Sequence, residues 1–125
     1  MQNKTKISLN FIQNPSILVI RLSSIGDIIL TTHIPRLLRN KFPNLEIDYL
    51  TFNSYAQLLQ FNPRIDNLLS IEKKSVKTNE FNIYTSKNEH IFDLKKYDII
   101  IDLQNNKYSH KILINFNLFQ NSEIL

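Results

Sequence analysis

Three predominantly apolar runs are spaced along the chain: Ile17–Leu22, Glu46–Phe52 and Tyr97–Leu103. The first and third are rich in isoleucine, as is typical of strands that are covered on both faces of a sheet. A weaker run at Leu68–Ile71 predicts a further strand between the second and the third. The pattern therefore predicts four strands separated by amphipathic or polar segments.

Apolar residues recur at helical spacing in the segment between the first two strands, and this pattern predicts a helix there. We expect Asp27 to cap this helix and Phe42-Pro43 to end it. Pro35 lacks the backbone N–H that a helix interior needs, which predicts an interruption near His33 and Ile34. The apolar stripe consists of Ile28, Leu30, Ile34, Leu37, Leu38 and Phe42.

The remaining segments give weaker signals. Capping-box patterns at Ser54–Gln57 and Ser86–Glu89 predict a short helix and a helix that continues through Lys96. Apolar positions from Ser109 onward predict a last helix. The lysine-rich segment 72–87 shows no clear period and is interpreted as a loop.

Strands that alternate with helices indicate βαβ units and a parallel sheet. The usual winding gives the strand order 3-2-1-4, with Ile17–Leu22 in the middle. Tyr97–Leu103 would then be an apolar edge strand, which invites aggregation unless something covers it. We therefore expect residues 1–15 to be a flexible leader and residues 16–125 to be one Rossmann-like α/β domain, incomplete at its carboxyl end.

Composition narrows the class of protein. The chain has 125 residues, of which 42% are hydrophobic, enough for one globular domain. It has no cysteine, and its formal net charge of +4 comes from scattered lysines, so nucleic acid is not a required partner. No stretch is apolar enough for a membrane span or a signal peptide, so we expect a cytoplasmic location.

The strongest chemical candidate is the turn that follows the first strand. Gly26 is the only glycine of the chain, which excludes a dinucleotide fingerprint and a P-loop. The three histidines lie on separate predicted elements, so no metal site is expected. From the residues alone two interpretations stay open. In one, Gly26 makes a corner and Asp27 caps a helix; in the other, Asp27 faces a ligand with Arg21, Ser23 and Ser24 nearby.

The segment Arg21–Thr31 (RLSSIGDIILT) resembles the amino-terminal signature of the lipopolysaccharide heptosyltransferases, glycosyltransferase family 9. The resemblance runs from about residue 16 to about residue 113. Several ordered blocks make it more specific than the turn alone. The further blocks are Pro35, Leu38-Arg39, Phe42-Pro43, Glu46–Leu50, Asn62–Asp66 and Tyr97–Asn106.

The resemblance implies the amino-terminal, acceptor-side half of a two-domain GT-B glycosyltransferase. It implies that Asp27 is the general base for inverting transfer of heptose from ADP-heptose to a lipid A–Kdo or core oligosaccharide acceptor. No metal or other cofactor is implied. Arg21, Ser23, Ser24 and Gly26 would line the acceptor and phosphate side. Peripheral contact with the inner membrane is a further expectation.

The resemblance also leaves the activity of this polypeptide open, because the family's donor domain has no counterpart in these 125 residues. A truncated enzyme, a remnant and one part of a split enzyme with a carboxy-terminal domain as partner are the alternatives within the family. A non-catalytic nucleotide- or partner-binding half-domain is the main rival outside it. A small nucleic-acid binder rests only on the sequence pI of about 9.4.

Overall fold

Seven strands form one sheet in the part of the chain that the computed structural model describes, which is residues 15–94 and 97–118 and the backbone of 123–124. The strands are β1 (Ser16–Ile20), β2 (Glu46–Phe52), β3 (Asn67–Ile71), β4 (Ile83–Thr85), β5 (His90–Ile91), β6 (Ile99–Asp102) and β7 (Glu123–Ile124). Their order in the sheet is β5-β4-β3-β2-β1-β6-β7. The pairs from β3 through β2, β1 and β6 to β7 are parallel, and the two pairs that involve β4 are antiparallel. The predicted order 3-2-1-4, with the first strand inside the sheet, is confirmed.

Helices lie on both faces of this sheet. They are α1 (Ile25–Leu30), α2 (His33–Lys41), α3 (Lys73–Lys77) and α4 (Lys107–Asn115), with a 3-10 helix at Asn53–Leu58. Alternate residues of β1 point to opposite faces. Leu18 and Ile20 pack in the cluster that contains Ile112 and Leu113 of α4, whereas Ile17 and Val19 pack in the cluster that contains Ile28 of α1. All seven of these side chains are fully buried, so the interpretation of the first strand as covered on both faces is confirmed.

The predicted interruption near Pro35 is also confirmed. The segment forms two helices, and Thr31 and Thr32 lie between α1 and α2. Pro35 is buried in the first turn of α2, where its missing N–H has no intrahelical acceptor to lose. The Thr31 hydroxyl donates to the carbonyl of Ile28 at 2.9 Å and so satisfies one carbonyl at the end of α1.

Two predictions between β3 and β6 are wrong. The segment 72–87 is not a loop, because α3 and β4 form within it and bury Val76 and Ile83. In the described part of the predicted helix at 86–96, no helix forms: residues 86–89 are the turn of a β4–β5 hairpin and residues 90–91 are β5. Asn88 adopts φ 64°, and the Thr85 hydroxyl accepts hydrogen bonds from the backbone amides that follow it in the turn. Short polar residues that can cap a helix can equally make a turn. Residues 95–96 lie outside the described residues.

The prediction that Tyr97–Leu103 is an edge strand is wrong as well. β7 pairs with β6 in parallel, opposite Ile99 and Ile100, so the apolar strand has a neighbour on both sides. The pattern Ser54–Gln57 falls in the 3-10 helix, which begins at Asn53 without a side-chain cap, rather than in a capped α-helix. The predicted leader lies outside the described residues except for Pro15. Among the described helices, none combines the length and the apolar character that crossing a membrane requires.

Candidate functional site

The carboxyl ends of β1 and β6 lie side by side at one edge of the sheet. The chain leaves β1 toward β2 through α1 and α2, and it leaves β6 in the opposite direction toward β7 through α4. This is the point at which the strand order reverses. In open α/β sheets the crevice outside such a point is where ligands bind.

Asp27 stands at this crevice, in the first turn of α1. The helix begins at Ile25, and Ser24 occupies the N-cap position, so the prediction that Asp27 is the cap is wrong. The Ser24 hydroxyl does not cap the helix; it donates to Asp27 Oδ2 at 3.2 Å. The Asp27 side chain is 50% exposed. A carboxylate is therefore presented to solvent in a fixed orientation.

Arg21 fixes that orientation from the end of β1. Its Nη2 lies 2.8 Å from Asp27 Oδ2, and its Nη1 donates to the carbonyl of Leu103 at 2.6 Å. The guanidinium thus joins the turn after β1 to the turn after β6. Its side chain is only 19% exposed, and both terminal nitrogens, Nη1 and Nη2, are engaged within the protein. Arg21 is consequently placed to position Asp27.

The environment of Asp27 favours the ionised carboxylate. The backbone N–H of Ser24 holds the pKa of Asp27 below its ordinary value, and the positive charge of Arg21 and the Ser24 hydroxyl act in the same direction. Asp27 is therefore fully charged near neutral pH. It is a weak base, but it can accept a hydrogen bond, or a proton from a hydroxyl that becomes acidic as it reacts.

Gln104, which was not among the predicted site residues, organises the other side of the crevice. Its Oε1 accepts from the backbone amides of Leu22 and Ser23 at 2.9 and 3.1 Å, and its Nε2 donates to Ser23 Oγ at 3.3 Å. The side chain therefore fixes the backbone that leads into α1. The sequence contained a signal for Gln104. The strand that precedes it was predicted to lie parallel to β1, and polar residues that follow two parallel neighbouring strands lie at the same edge of the sheet.

The turn after β6 is held by its own side chains. Asp102 Oδ1 accepts from the backbone amides of Gln104 and Asn105 at 3.1 and 2.9 Å. Asn106 then caps α4 in a capping box with Ser109. The predicted turn after the fourth strand is confirmed, and its hydrogen bonds hold the backbone of Gln104 in place.

Gly26 does not serve as a left-handed corner, since its φ is not positive. It is an exposed residue of α1, and a Cβ built on it meets no atom within 4 Å. Backbone geometry therefore does not require glycine here. Close approach of a ligand to the main chain is the other use of glycine that the sequence suggested, and that use stays a prediction.

The five predicted site residues thus share one edge of the sheet. Arg21, Ser24 and Asp27 contact one another, Ser23 contacts Gln104, and Gly26 directly precedes Asp27. Their individual roles in binding or catalysis stay predictions.

Comparison with known proteins gives results in sequence and in structure, although no family model matches the chain. The chain is 31% identical over 78 residues to lipopolysaccharide heptosyltransferase 3 of Escherichia coli, a match that covers 62% of this chain and 23% of that protein. The chain thus spans about a quarter of the length of this curated relative.

Solved structures give the same result. A glycosyl transferase family 9 protein from Veillonella parvula matches with a TM-score of 0.60 and 28% identity, over 78% of this chain and 28% of that one. The E. coli heptosyltransferase WaaC, solved with ADP, matches with a TM-score of 0.56 and 20% identity over 75% of this chain and 29% of that one. The latter likeness shows the fold alone. Together these matches show that the chain is similar to part of a lipopolysaccharide heptosyltransferase and has the α/β fold found in glycosyltransferase family 9.

Proposed function

We propose that this chain is the acceptor-side part of an inverting glycosyltransferase that transfers heptose from ADP-heptose to a lipopolysaccharide core acceptor. The observation that carries the proposal is the half-exposed Asp27 carboxylate, oriented by Arg21 and Ser24 where the strand order reverses. The match to a lipopolysaccharide heptosyltransferase supports the same reaction class.

In the proposed reaction an acceptor hydroxyl attacks the anomeric carbon of the donor sugar. A new C–O bond forms there, the bond to the diphosphate breaks, and ADP leaves with the electron pair. The hydroxyl proton passes to Asp27 late, when bond formation has made that hydroxyl acidic. Arg21 keeps the carboxylate aimed at the crevice, and Gln104 keeps the backbone of Ser23 in place. Positioned bases of this kind contribute about 10²–10⁴-fold to the rate.

The proposal assigns only part of the machinery to this chain. Its structural relatives are longer, since the matched part of this chain covers only 28–35% of them. We place the groups that bind the ADP moiety in a second domain, and we expect no metal to be needed. A lipid-linked acceptor would bring the protein to the cytoplasmic side of the inner membrane as a peripheral partner.

A second candidate function, a non-catalytic partner-binding half-domain, is favoured by one surface. Three apolar side chains of α1 beside Asp27 are exposed: Ile25 by 54%, Ile29 by 55% and Leu30 by 70%. An apolar surface at the mouth of a crevice suits a partner domain as well as the lipid part of an acceptor. The two candidates differ in whether the chain turns over substrate.

The deciding experiment measures transfer from ADP-heptose to a lipid A–Kdo acceptor by the purified chain and by Asp27→Asn. Asp66→Asn is a matched control, because Asp66 Oδ2 forms the same kind of ion pair with Arg39 Nη2, also at 2.8 Å, away from the crevice. Circular dichroism checks that each protein is folded. We expect about 10²–10⁴-fold loss in Asp27→Asn and less than roughly twofold loss in the control.

Retained transfer in a folded Asp27→Asn protein would refute the catalytic role. Absence of transfer by the folded unmodified chain would agree with donor-binding groups that lie in a second domain. Binding of the lipid A–Kdo acceptor by that chain, weakened in Asp27→Asn, would then support the acceptor-side proposal, and no acceptor binding would favour the partner-binding alternative.

A further inference from the structure

A second cavity lies on the other side of β2 from the crevice. It measures about 260 Å³ and is bounded by the 3-10 helix, by β3 and by the β4–β5 turn. Within the described residues, none of its lining residues forms a hydrogen bond or an ion pair with the side chains of Arg21, Asp27 or Gln104. Besides Thr85, six of these residues carry neutral hydrogen-bonding side chains: Asn53, Gln57, Gln60, Ser70, Ser86 and Asn88.

The lining is entirely uncharged, although the chain carries 15 basic and 11 acidic residues. A phosphate or carboxylate ligand would be favoured by a cationic side chain, and a cation by a carboxylate. Amides and hydroxyls instead both donate and accept hydrogen bonds, which is what the hydroxyl groups of a polyol require. The cavity therefore suits a neutral polyhydroxylated ligand.

The polar groups of this cavity are available. Within the described residues, the six side chains make no hydrogen bond or ion pair with the rest of the protein. The Thr85 hydroxyl, which also lines the cavity, accepts from the backbone amides of Lys87 and Glu89 and so fixes the turn. Asn88 is held at φ 64° in that turn. The β4–β5 turn that bounds the cavity is thus ordered before a ligand arrives, which lowers the part of the entropic cost of binding that this turn would add.

The cavity also has an apolar wall. Leu68 is buried in β3, with 7% exposure, and Ala56 lies on the 3-10 helix above it. Such a wall offers contact to the C–H groups of a sugar ring while the amides face its hydroxyls. The volume lies just below the ~300–1,000 Å³ of common small-molecule pockets, which indicates a single ring rather than an oligosaccharide.

We infer that the cavity between the 3-10 helix, β3 and the β4–β5 turn is a binding site for a neutral monosaccharide unit. The inference goes beyond the proposed function, because it concerns a site that no residue of the Asp27 crevice lines. Binding of a monosaccharide unit in this cavity also requires no catalytic turnover.

The test is an NMR titration of the 15N-labelled chain with methyl glucoside and methyl mannoside, and separately with inorganic phosphate. We expect saturable, millimolar shifts of the side-chain amide signals of Asn53, Gln57 and Gln60 with the glycosides. Phosphate should leave these signals in place.

The variants Gln57→Ala and Asn53→Ala should each weaken glycoside binding by roughly tenfold, because each removes hydrogen bonds to the ring. Asn40→Ala, on the exposed surface of α2, is the matched control and should bind as the unmodified chain does. Asn88 is not a suitable test position, since alanine is strained at φ 64°.

Three results would overturn the inference: no saturable shift with either glycoside, equal shifts with phosphate, or unchanged binding in both variants with native-like spectra. Glycoside shifts confined to the residues of the Asp27 crevice would also overturn it, while still agreeing with the proposed transferase. Loss of transfer in Asp27→Asn does not bear on the cavity, so the two proposals fail separately.

Discussion

Two aspartates of this sheet show how differently one side chain can be used. Asp27 lies beyond the carboxyl end of β1 and is half exposed, and Arg21 and Ser24 both contact its Oδ2. Asp48 lies within β2 and is only 4% exposed. Its Oδ1 accepts from Asn67 at 2.8 Å and its Oδ2 from the Tyr97 hydroxyl at 2.7 Å. Both carboxylates are held by hydrogen bonds or an ion pair, but only the Asp27 carboxylate is half exposed to solvent.

The contrast teaches that exposure and place in the fold together separate the candidate site carboxylate from a structural one. Burial and the negative charge of Asp48 raise the pKa of Tyr97 well above its ordinary value, so the phenol stays protonated and donates. Asp48 and Tyr97 therefore tie β2 to the segment before β6. Asp27, by contrast, contacts Arg21 and Ser24 close to it in sequence, and its side chain is half exposed to solvent.

The largest expected effect on stability comes from Tyr97→Phe, which removes a hydrogen bond to a buried carboxylate. We expect the free energy of unfolding to fall by about 1.5–3 kcal/mol. Asp27→Asn, a substitution at an exposed site, should change it far less than Tyr97→Phe does. Urea unfolding followed by circular dichroism measures both. Equal effects of the two substitutions would break the contrast between the aspartates.

Elements were predicted correctly from the sequence where the run of apolar residues was long, and they were missed where it was short. The apolar runs around Ile17 and Ile99 were long enough to specify strands, and the chain order then gave the position of β1 in the sheet. Val76 and Ile83 could not be recognised, because two isolated apolar residues in a lysine-rich segment have no period. β7 could not be recognised either, since its two residues acquire a strand conformation only by pairing with β6.

The candidate site was predictable where its residues are adjacent in sequence and not where they meet in space. Arg21, Ser24 and Asp27 lie within seven positions of one another, and the structure does bring them into contact. Gln104 reaches the same turn from a residue 82 positions away, so only the strand order could place it. The left-handed corner assigned to Gly26 failed because a helix started one residue earlier.

A smaller effect is expected on the pKa of Asp27 in Arg21→Gln. Removing the positive charge should raise this pKa toward its ordinary value of 3.8, while the Ser24 backbone amide continues to lower it. Because the native pKa is depressed, Asp27 stabilises the fold above pH 3.8, and this contribution is lost as pH falls through the native pKa. Arg21→Gln should diminish that acid-sensitive contribution.

Carboxyl 13C NMR titration measures the pKa of Asp27, and Arg39→Gln is the control that should leave this pKa unchanged. An unaltered pKa in Arg21→Gln would show that the ion pair does not set the state of Asp27.

The smallest effect on stability, and the sharpest question about the crevice, comes from Gly26→Ala. The new Cβ meets no atom within 4 Å, the φ of Gly26 is not positive, and alanine favours a helix over glycine by about 0.5–1 kcal/mol. The free energy of unfolding should therefore stay the same or rise slightly. A ligand that approaches the main chain beside Asp27 would meet the added methyl, so the KM for the acceptor should increase while kcat changes little. Steady-state transfer kinetics together with urea unfolding separate the two quantities. A destabilised Gly26→Ala protein would mean that glycine serves the fold at this position, and an unchanged KM would mean that the ligand passes Asp27 without touching this part of α1.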